Sequence, residues 1–163
     1  MTDPILQAPA LHQTLSEWWD AIIGLTLDSP QSAWDAMTAF LAEDCVLYFG
    51  GMDAPASKGI DAVIADLKKT LVYWKMLQRR VIVHGLDASA TTVFATMNNH
   101  LEILGEPLDY PETEVVTFNE AGKIARYELY CDPSPIKAVF AAKHEASRSA
   151  GPSGLQPASP RTI

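Results

Sequence analysis

The stretch that decides the fold is residues 91–131, which read TTVFATMNNHLEILGEPLDYPETEVVTFNEAGKIARYELYC. It is rich in β-branched and aromatic side chains, follows a two-residue period, and is interrupted by short glycine-containing turns. These features predict strands at Thr91–Leu104, Glu112–Phe118 and Lys123–Cys131. A fourth strand is predicted just upstream, at Met76–His84. Because the turns between them are short, the four strands should form an antiparallel meander.

Helical spacing dominates the chain before these strands. Apolar residues at steps of three and four predict helices around Leu11–Leu25, Trp34–Leu41 and Ile60–Leu71. A compact apolar run closed by two glycines predicts a short strand at Cys45–Phe49, and a last short helix is predicted around Ile136–Phe140. Helices segregated from an antiparallel sheet define the α+β class. A sheet of this length coils, and its concave side is a usual place for a small-molecule pocket.

Composition and charge narrow the classes of function. The chain has 163 residues, for which we expect one domain at 11–143, an N-terminal arm at 1–10 and a disordered tail at 144–163. The net charge of −8 disfavours a nucleic-acid partner, which needs clustered Lys and Arg. The sequence shows neither a secretory signal nor an apolar run of membrane-spanning length, so no membrane partner is expected. Two cysteines make no disulfide framework, which favours the cytoplasm.

Three stretches of the chain carry a family resemblance. Residues 40–48 read FLAEDCVLY, residues 58–63 read KGIDAV, and residues 118–124 read FNEAGKI, followed by YCDP at 130–133. They resemble the first strand, the third-helix entry and the closing hairpin of the nuclear-transport-factor-two-like superfamily, which includes SnoaL-like polyketide cyclases, ketosteroid isomerases and scytalone dehydratase. The resemblance covers roughly Leu11–Phe140. It implies a cone-shaped α+β fold with a curved antiparallel sheet on three N-terminal helices, a pocket for a hydrophobic small molecule, and a homodimer.

Glu114 is the leading candidate for a catalytic residue because it lies in an otherwise apolar strand. Glu112 has the same parity, so both carboxylates should point to one face of the sheet. On a concave face, desolvation and mutual repulsion would raise one pKa, leaving one acid protonated while the other acts as base. The resemblance implies the same, since Glu114 aligns with the hydrogen-bond-donating acid of ketosteroid isomerase and with the region of the general base in SnoaL-like cyclases. The alternative is that both acids lie on the solvated or dimer-facing side.

The resemblance to ketosteroid isomerase is incomplete. That enzyme has its proton-shuttling acid on the first strand, where this chain has Phe49, and its substrate-binding tyrosine in the first helix, where this chain has Trp18 and Trp19. Steroid isomerisation is therefore not predicted. The two tryptophans and Phe49 are predicted instead to wall the pocket with apolar surface, although core packing explains the tryptophans equally well.

The other strands offer groups that could polarise an oxygen of the substrate. The alignment places Asn99 toward the pocket together with Met97 and Leu101, so that its amide could hold a carbonyl or an oxyanion. On the last strand, Tyr127 and Leu129 share one face, and Tyr127 could supply a phenol. The alternative for Tyr127 is a core position with its hydroxyl satisfied at the edge.

His84 is the remaining candidate, because scytalone dehydratase also uses histidines on its sheet. The alternative is a structural histidine near a strand end. The histidines have no metal-ligand spacing with Cys or Asp, and the sequence has neither a phosphate-binding glycine loop nor a nucleophile elbow. We therefore expect no metal and no cofactor.

Two functions are compatible with these residues. The first is a cofactor-independent cyclase, isomerase or dehydratase that moves a proton on a polyketide or terpenoid intermediate, with Glu114 as base or acid. The second is a non-catalytic module of the same fold that binds a small ligand or dimerises. The acid pair favours the enzyme, and the missing acid at Phe49 favours the binding module.

Overall fold

The computed structural model describes residues 4–149, which form helices around one curled sheet. The helices are α1 Pro4–Ile23, α2 Gln31–Thr38, α3 Ile60–Leu71 and α4 Ser134–Ser149. The strands are β1 Leu41–Gly50, β2 Ser57–Lys58, β3 Trp74–Gln78, β4 Val81–Leu86, β5 Thr92–Ile103, β6 Glu106–Phe118 and β7 Ile124–Cys131. The predicted α+β cone with three N-terminal helices is confirmed.

The sheet runs in the order β2-β1-β7-β6-β5-β3, with β4 pairing β5 beside β3. Strands β5, β6 and β7 form the predicted antiparallel meander, and β5 and β6 stay in register from Thr92 opposite Thr117 to Ile103 opposite Glu106. The first strand differs from the rest of the sheet, because β1 pairs with β7 in parallel. The sheet is therefore mixed, and β7 joins the N-terminal half of the chain to the meander.

The predicted strand Met76–His84 is wrong in one respect, since it is two strands with a break at Arg79 and Arg80. Both strands pair with β5, and each pairing contains a register shift, one between Met76 and Gln78 and one between Val81 and Val83. A shift of this kind re-aims the side chains beside it. Here it turns Arg79 inward, where its side chain is only 13% exposed.

The helices cover one face of the sheet and complete its core. Helix α1 buries Leu15, Trp18, Trp19 and Ile22, a stripe with the three- and four-residue spacing that the sequence shows. The third helix has the predicted bounds, Ile60–Leu71. The second ends at Thr38, before the predicted Leu41, because the chain there enters β1 and pairs with Ile124.

Both terminal helices are longer than the sequence predicts. Helix α1 begins at Pro4, within the predicted N-terminal arm, and α4 runs to Ser149, so residues 144–149 of the predicted tail are helical. Residues 1–3 and 150–163 lie outside the described part of the chain. Among residues 4–149, no helix is both long and apolar enough to cross a membrane.

Candidate functional site

A cavity of about 310 Å³ lies between the inner face of the sheet and the helices. All four helices contribute to its wall, together with β1, β2, β3, β6 and β7. Much of that wall is aromatic: Trp18, Trp19, Phe49, Tyr73, Trp74, Tyr127 and Phe140. A partly enclosed, mostly apolar cavity of this size suits a small hydrophobic molecule.

Glu112 is the acid of β6 that borders the cavity. Glu112 is 7% exposed, and its Oε2 accepts a hydrogen bond from Asn99 Nδ2 at 2.6 Å. The pKa of the Glu112 carboxyl is raised to about 7: burial raises it most, the Asn99 hydrogen bond lowers it, and the charge of Glu114 raises it. Near neutral pH the group therefore exists in both the protonated and the ionised form, which is the condition for moving protons in either direction.

Glu114 lies two residues further along β6 and is fully buried. It does not border the cavity. Its Oε2 accepts hydrogen bonds from Trp19 Nε1 at 2.8 Å and from Tyr127 Oη at 3.1 Å, and its Oε1 accepts one from Arg79 Nη2. Three donors, one of them a guanidinium, hold this carboxylate in place. The geometry makes Glu114 a fixed buried charge beside the cavity.

Asn99 orients Glu112 through a hydrogen bond. Its Nδ2 donates to Glu112, and its Oδ1 accepts a hydrogen bond from the main-chain N–H of Arg80 at 2.9 Å. The second bond fixes which way the amide points, so its donor must face the carboxylate. The break between β3 and β4 thus positions both acids, through the side chain of Arg79 and the backbone of Arg80.

Tyr127 lines the cavity and also contacts the buried Glu114. Its hydroxyl donates to Glu114, and its ring packs against Trp18 and Trp19 with centroids 5.1 and 6.0 Å away. Burial, followed by the nearby charge of Glu114, raises the pKa of the phenol well above its usual value. The hydroxyl therefore stays protonated. Because its hydrogen is used by Glu114, it has only lone pairs left for another partner.

Comparison with known proteins gives the family. The model of the SnoaL-like domain matches residues 31–127, more than half of the chain. The chain belongs to the SnoaL-like domain family. No functionally curated protein matches it.

Solved structures share the fold of this SnoaL-like domain at low sequence identity. A candidate polyketide cyclase of Xanthomonas campestris is 23% identical, with 83% of this chain and 98% of that chain covered and a TM-score of 0.64. An LEH-like epoxide hydrolase of M. tuberculosis is 14% identical, with coverages of 84% and 93% and a TM-score of 0.58. A protein of Catenulispora acidiphila with a ketosteroid isomerase-like fold, solved in complex with trimethylamine, is 13% identical, with coverages of 77% and 89% and a TM-score of 0.62. At these identities the likeness shows the fold.

The structure of the SnoaL-like domain brings together most of the residues singled out in its sequence. Five predicted binding residues and one predicted catalytic residue line the cavity: Trp18, Trp19, Phe49, Glu112, Leu129 and Tyr127. Glu114 and Asn99 are buried next to that wall without forming part of it. Met97 and Leu101 are fully buried core residues on β5 that do not line the cavity.

His84 does not belong to the site. It lies exposed on β4, and its ring contacts that of His12 on α1, with centroids 3.9 Å apart. Strand β4 pairs only with the first half of β5, Val93–Met97, and no residue of β4 lines the cavity. The predicted catalytic role of His84 is thus not supported by its position.

Arg79 belongs to the site but is not among the residues predicted from sequence. A pair of arginines in an apolar strand looks like a solvated edge. The available signal was the buried acid itself, because a carboxylate in an apolar strand requires a counter-charge. The cavity wall also includes polar residues that were not predicted, namely Ser57, Asp66, Thr70 and Lys137.

Proposed function

We propose that this SnoaL-like domain is a cofactor-independent acid–base enzyme, a cyclase, isomerase or dehydratase, acting on a hydrophobic small molecule such as a polyketide or terpenoid intermediate. One observation carries the proposal. Glu112 is a carboxyl group on the wall of a mostly apolar cavity, and its pKa of about 7 lets it take up and return a proton at neutral pH.

In this mechanism Glu112 is the catalytic residue. As a carboxylate it removes a proton from a carbon or oxygen of the bound molecule, and as a carboxylic acid it returns the proton to another atom. The low-polarity wall strengthens every electrostatic interaction inside the cavity and keeps bulk water from competing for the proton. Tyr127 contributes an acceptor beside Glu112 that can orient a hydroxyl of the substrate.

Glu114 and Arg79 are positioning residues. The charge of Glu114 contributes to the raised pKa of Glu112, and the Arg79 side chain holds Glu114 where it has that effect. This assignment moves the proton-transfer role from Glu114, the leading candidate in the sequence, to its neighbour two residues earlier. The names of structures with this fold, a candidate polyketide cyclase and an LEH-like epoxide hydrolase, support an enzyme as the class of protein.

The proposal is tested by metabolite profiling. The purified protein is incubated with extract from a strain that lacks it, and products are compared by mass spectrometry for the wild type, Glu112→Gln and the control Glu102→Gln. Glu102 is also a strand glutamate, but it lies on the outer side of β5, away from the cavity. We expect the control to form the wild-type product and Glu112→Gln to form none. A Glu112→Gln variant with full activity would remove Glu112 from the mechanism.

The alternative function is a non-catalytic small-ligand carrier. The aromatic share of the cavity wall favours it, because such a wall binds apolar molecules without any chemistry. The same experiment separates the two functions. A carrier leaves the extract's metabolites unchanged and retains one of them through gel filtration, in the wild type and in Glu112→Gln alike.

We also propose that the domain forms a homodimer through the outer face of its sheet. Val83, Phe94 and Tyr130 expose apolar surface there, and Val83 is 53% exposed. Exposed apolar residues grouped in this way mark an interaction site. Light scattering should give the mass of a dimer for the wild type and of a monomer for Val83→Asp, and a wild-type monomer contradicts the proposal. The cytoplasmic location stays a prediction, supported by two free cysteines.

A further inference from the structure

Apart from Glu112, the cavity has a second polar group of side chains, on its α3 side. Ser57 on β2 and Asp66 and Thr70 on α3 all border it. Asp66 and Thr70 are four residues apart, which places them on one face of the helix. Ser57 is only 5% exposed, although its side chain is polar. We call these three residues the α3 subsite.

The hydrogen bonds inside the α3 subsite use up its donors. The Ser57 hydroxyl donates to Asp66 Oδ2 at 2.7 Å, and the Thr70 hydroxyl donates to the main-chain carbonyl of Asp66 at 3.0 Å. A carboxylate and two hydroxyls whose hydrogens are engaged offer only lone pairs to a further partner. The bonds from Lys69 and Ser57 lower the pKa of Asp66, so its carboxyl is ionised at neutral pH, with the exposed Lys69 as its ion-pair partner.

Positively charged side chains are scarce along the cavity wall. Within the described residues, Lys137 is the one cation that borders the cavity, and its side chain is 61% exposed and bonded to Asp53 at 3.0 Å. Arg79 and Lys69 lie near the cavity without forming part of its wall: Arg79 pairs with Glu114, and the Lys69 side chain is 76% exposed and pairs with Asp66. An anionic group of a ligand would therefore lose its hydration next to Asp66 without gaining a buried counter-charge.

We propose that the α3 subsite binds a hydrogen-bond donor, a hydroxyl or an ammonium group, on a ligand whose apolar body fills the cavity, and that it rejects ligands with a carboxylate at that position. The inference extends the proposed function, because it assigns the other end of the same molecule to Glu112. The substrate would then have a polar group at each end and be either neutral or cationic, and Asp66 would be a specificity-determining residue.

The test is a binding experiment with four matched probes that share a phenyl ring and differ at the end of a two-carbon arm. The probes are ethylbenzene with no polar group, 2-phenylethanol with a hydroxyl, 2-phenylethylamine with an ammonium, and phenylacetate with a carboxylate. Dissociation constants are measured by protein-observed NMR titration for the wild type, Asp66→Asn, Thr70→Val and the control Asp61→Asn. Asp61 is an exposed acid on the same helix that does not border the cavity.

We expect 2-phenylethanol, 2-phenylethylamine or both to bind wild-type protein about tenfold more tightly than ethylbenzene, as a hydrogen bond to a charged group allows, with the carboxylate probe weakest. Which of the two binds more tightly tells whether the natural donor is a hydroxyl or an ammonium. Asp66→Asn should remove most of the advantage, Thr70→Val should reduce it, and Asp61→Asn should leave it unchanged. Equal binding of all four probes, tightest binding of the carboxylate, or an advantage that survives Asp66→Asn overturns the inference.

This experiment does not depend on catalysis. If the probes discriminate as expected but Glu112→Gln keeps full activity in the metabolite assay, the proposed function fails and the subsite stands. If Glu112→Gln is inactive and the four probes bind alike, the subsite fails and the proposed function stands.

Discussion

Replacing Arg79 by methionine should destabilise the protein strongly. Glu114 is fully buried, Arg79 is its one charged partner in the described structure, and Trp19 and Tyr127 would remain as neutral donors. Removing one partner of a buried ion pair costs about 3–5 kcal/mol, because it leaves an uncompensated charge in the interior. That is a large part of the roughly 5–15 kcal/mol that stabilises a typical domain. The free energy of unfolding is measured by urea titration with circular dichroism.

Two further variants separate the ion pair from a general effect of losing arginine. Arg80→Met removes the neighbouring side chain, which pairs with Asp109 in a solvent-exposed contact and should contribute about 0–1 kcal/mol. The double variant Arg79→Met/Glu114→Gln removes both charges and should recover about 2 kcal/mol or more of the loss. The buried ion pair is not the cause if Arg79→Met and Arg80→Met cost the same, or if the double variant is no more stable than Arg79→Met alone.

Two other substitutions test the site and the frame around it. The folded pKa of Glu112, about 7, exceeds its ordinary value of 4.5, so the free energy of unfolding should fall by about 1.4 kcal/mol per pH unit between these values. Glu112→Gln should abolish this loss, which makes the variant more stable than the wild type by roughly 3 kcal/mol at about pH 8 and by little at about pH 5. Equal shifts of the melting temperature at the two pH values contradict this prediction. Gly51 has a φ of +89°, and an added Cβ would lie 2.7 Å from the carbonyl oxygen of Cys131. Gly51→Ala should therefore lower the free energy of unfolding, measured by urea titration, more than Gly122→Ala does, because φ at Gly122 is +70° but the space around it is open. Equal losses in the two variants contradict the steric explanation.

The fold could be predicted from sequence wherever one periodicity held over a whole element. Helix α3 is the best case, because its apolar stripe from Ile60 to Leu71 is uninterrupted and its ends coincide with the structure. The break at Arg79 could not be predicted in this way. Strict alternation from the buried Met76 would turn Arg80 inward and Arg79 outward, and the register shift after Met76 reverses this.

The site was predictable in composition but not in roles. Strand parity identifies Glu112 and Glu114 as a pair, and both are buried. Which of them meets the cavity depends on how deeply α1 covers β6, since Trp19 reaches Glu114 and leaves Glu112 at the wall. That is a property of packing between distant segments, and the engagement of the Ser57 hydroxyl by Asp66 likewise arises from a contact between β2 and α3. A single sequence read along its length contains no record of either contact.

The proton-transfer role of Glu112 is tested most directly by titrating its carboxyl group. Protein labelled with ¹³C at the glutamate side-chain carboxyl is titrated by NMR, and the Glu112→Gln variant assigns the resonance. We predict one carboxyl resonance with a midpoint near 7 that disappears in the variant. A Glu112 midpoint in the ordinary range for glutamate, about 4.2, would contradict this role, because a carboxyl with that pKa is a poor proton donor at neutral pH.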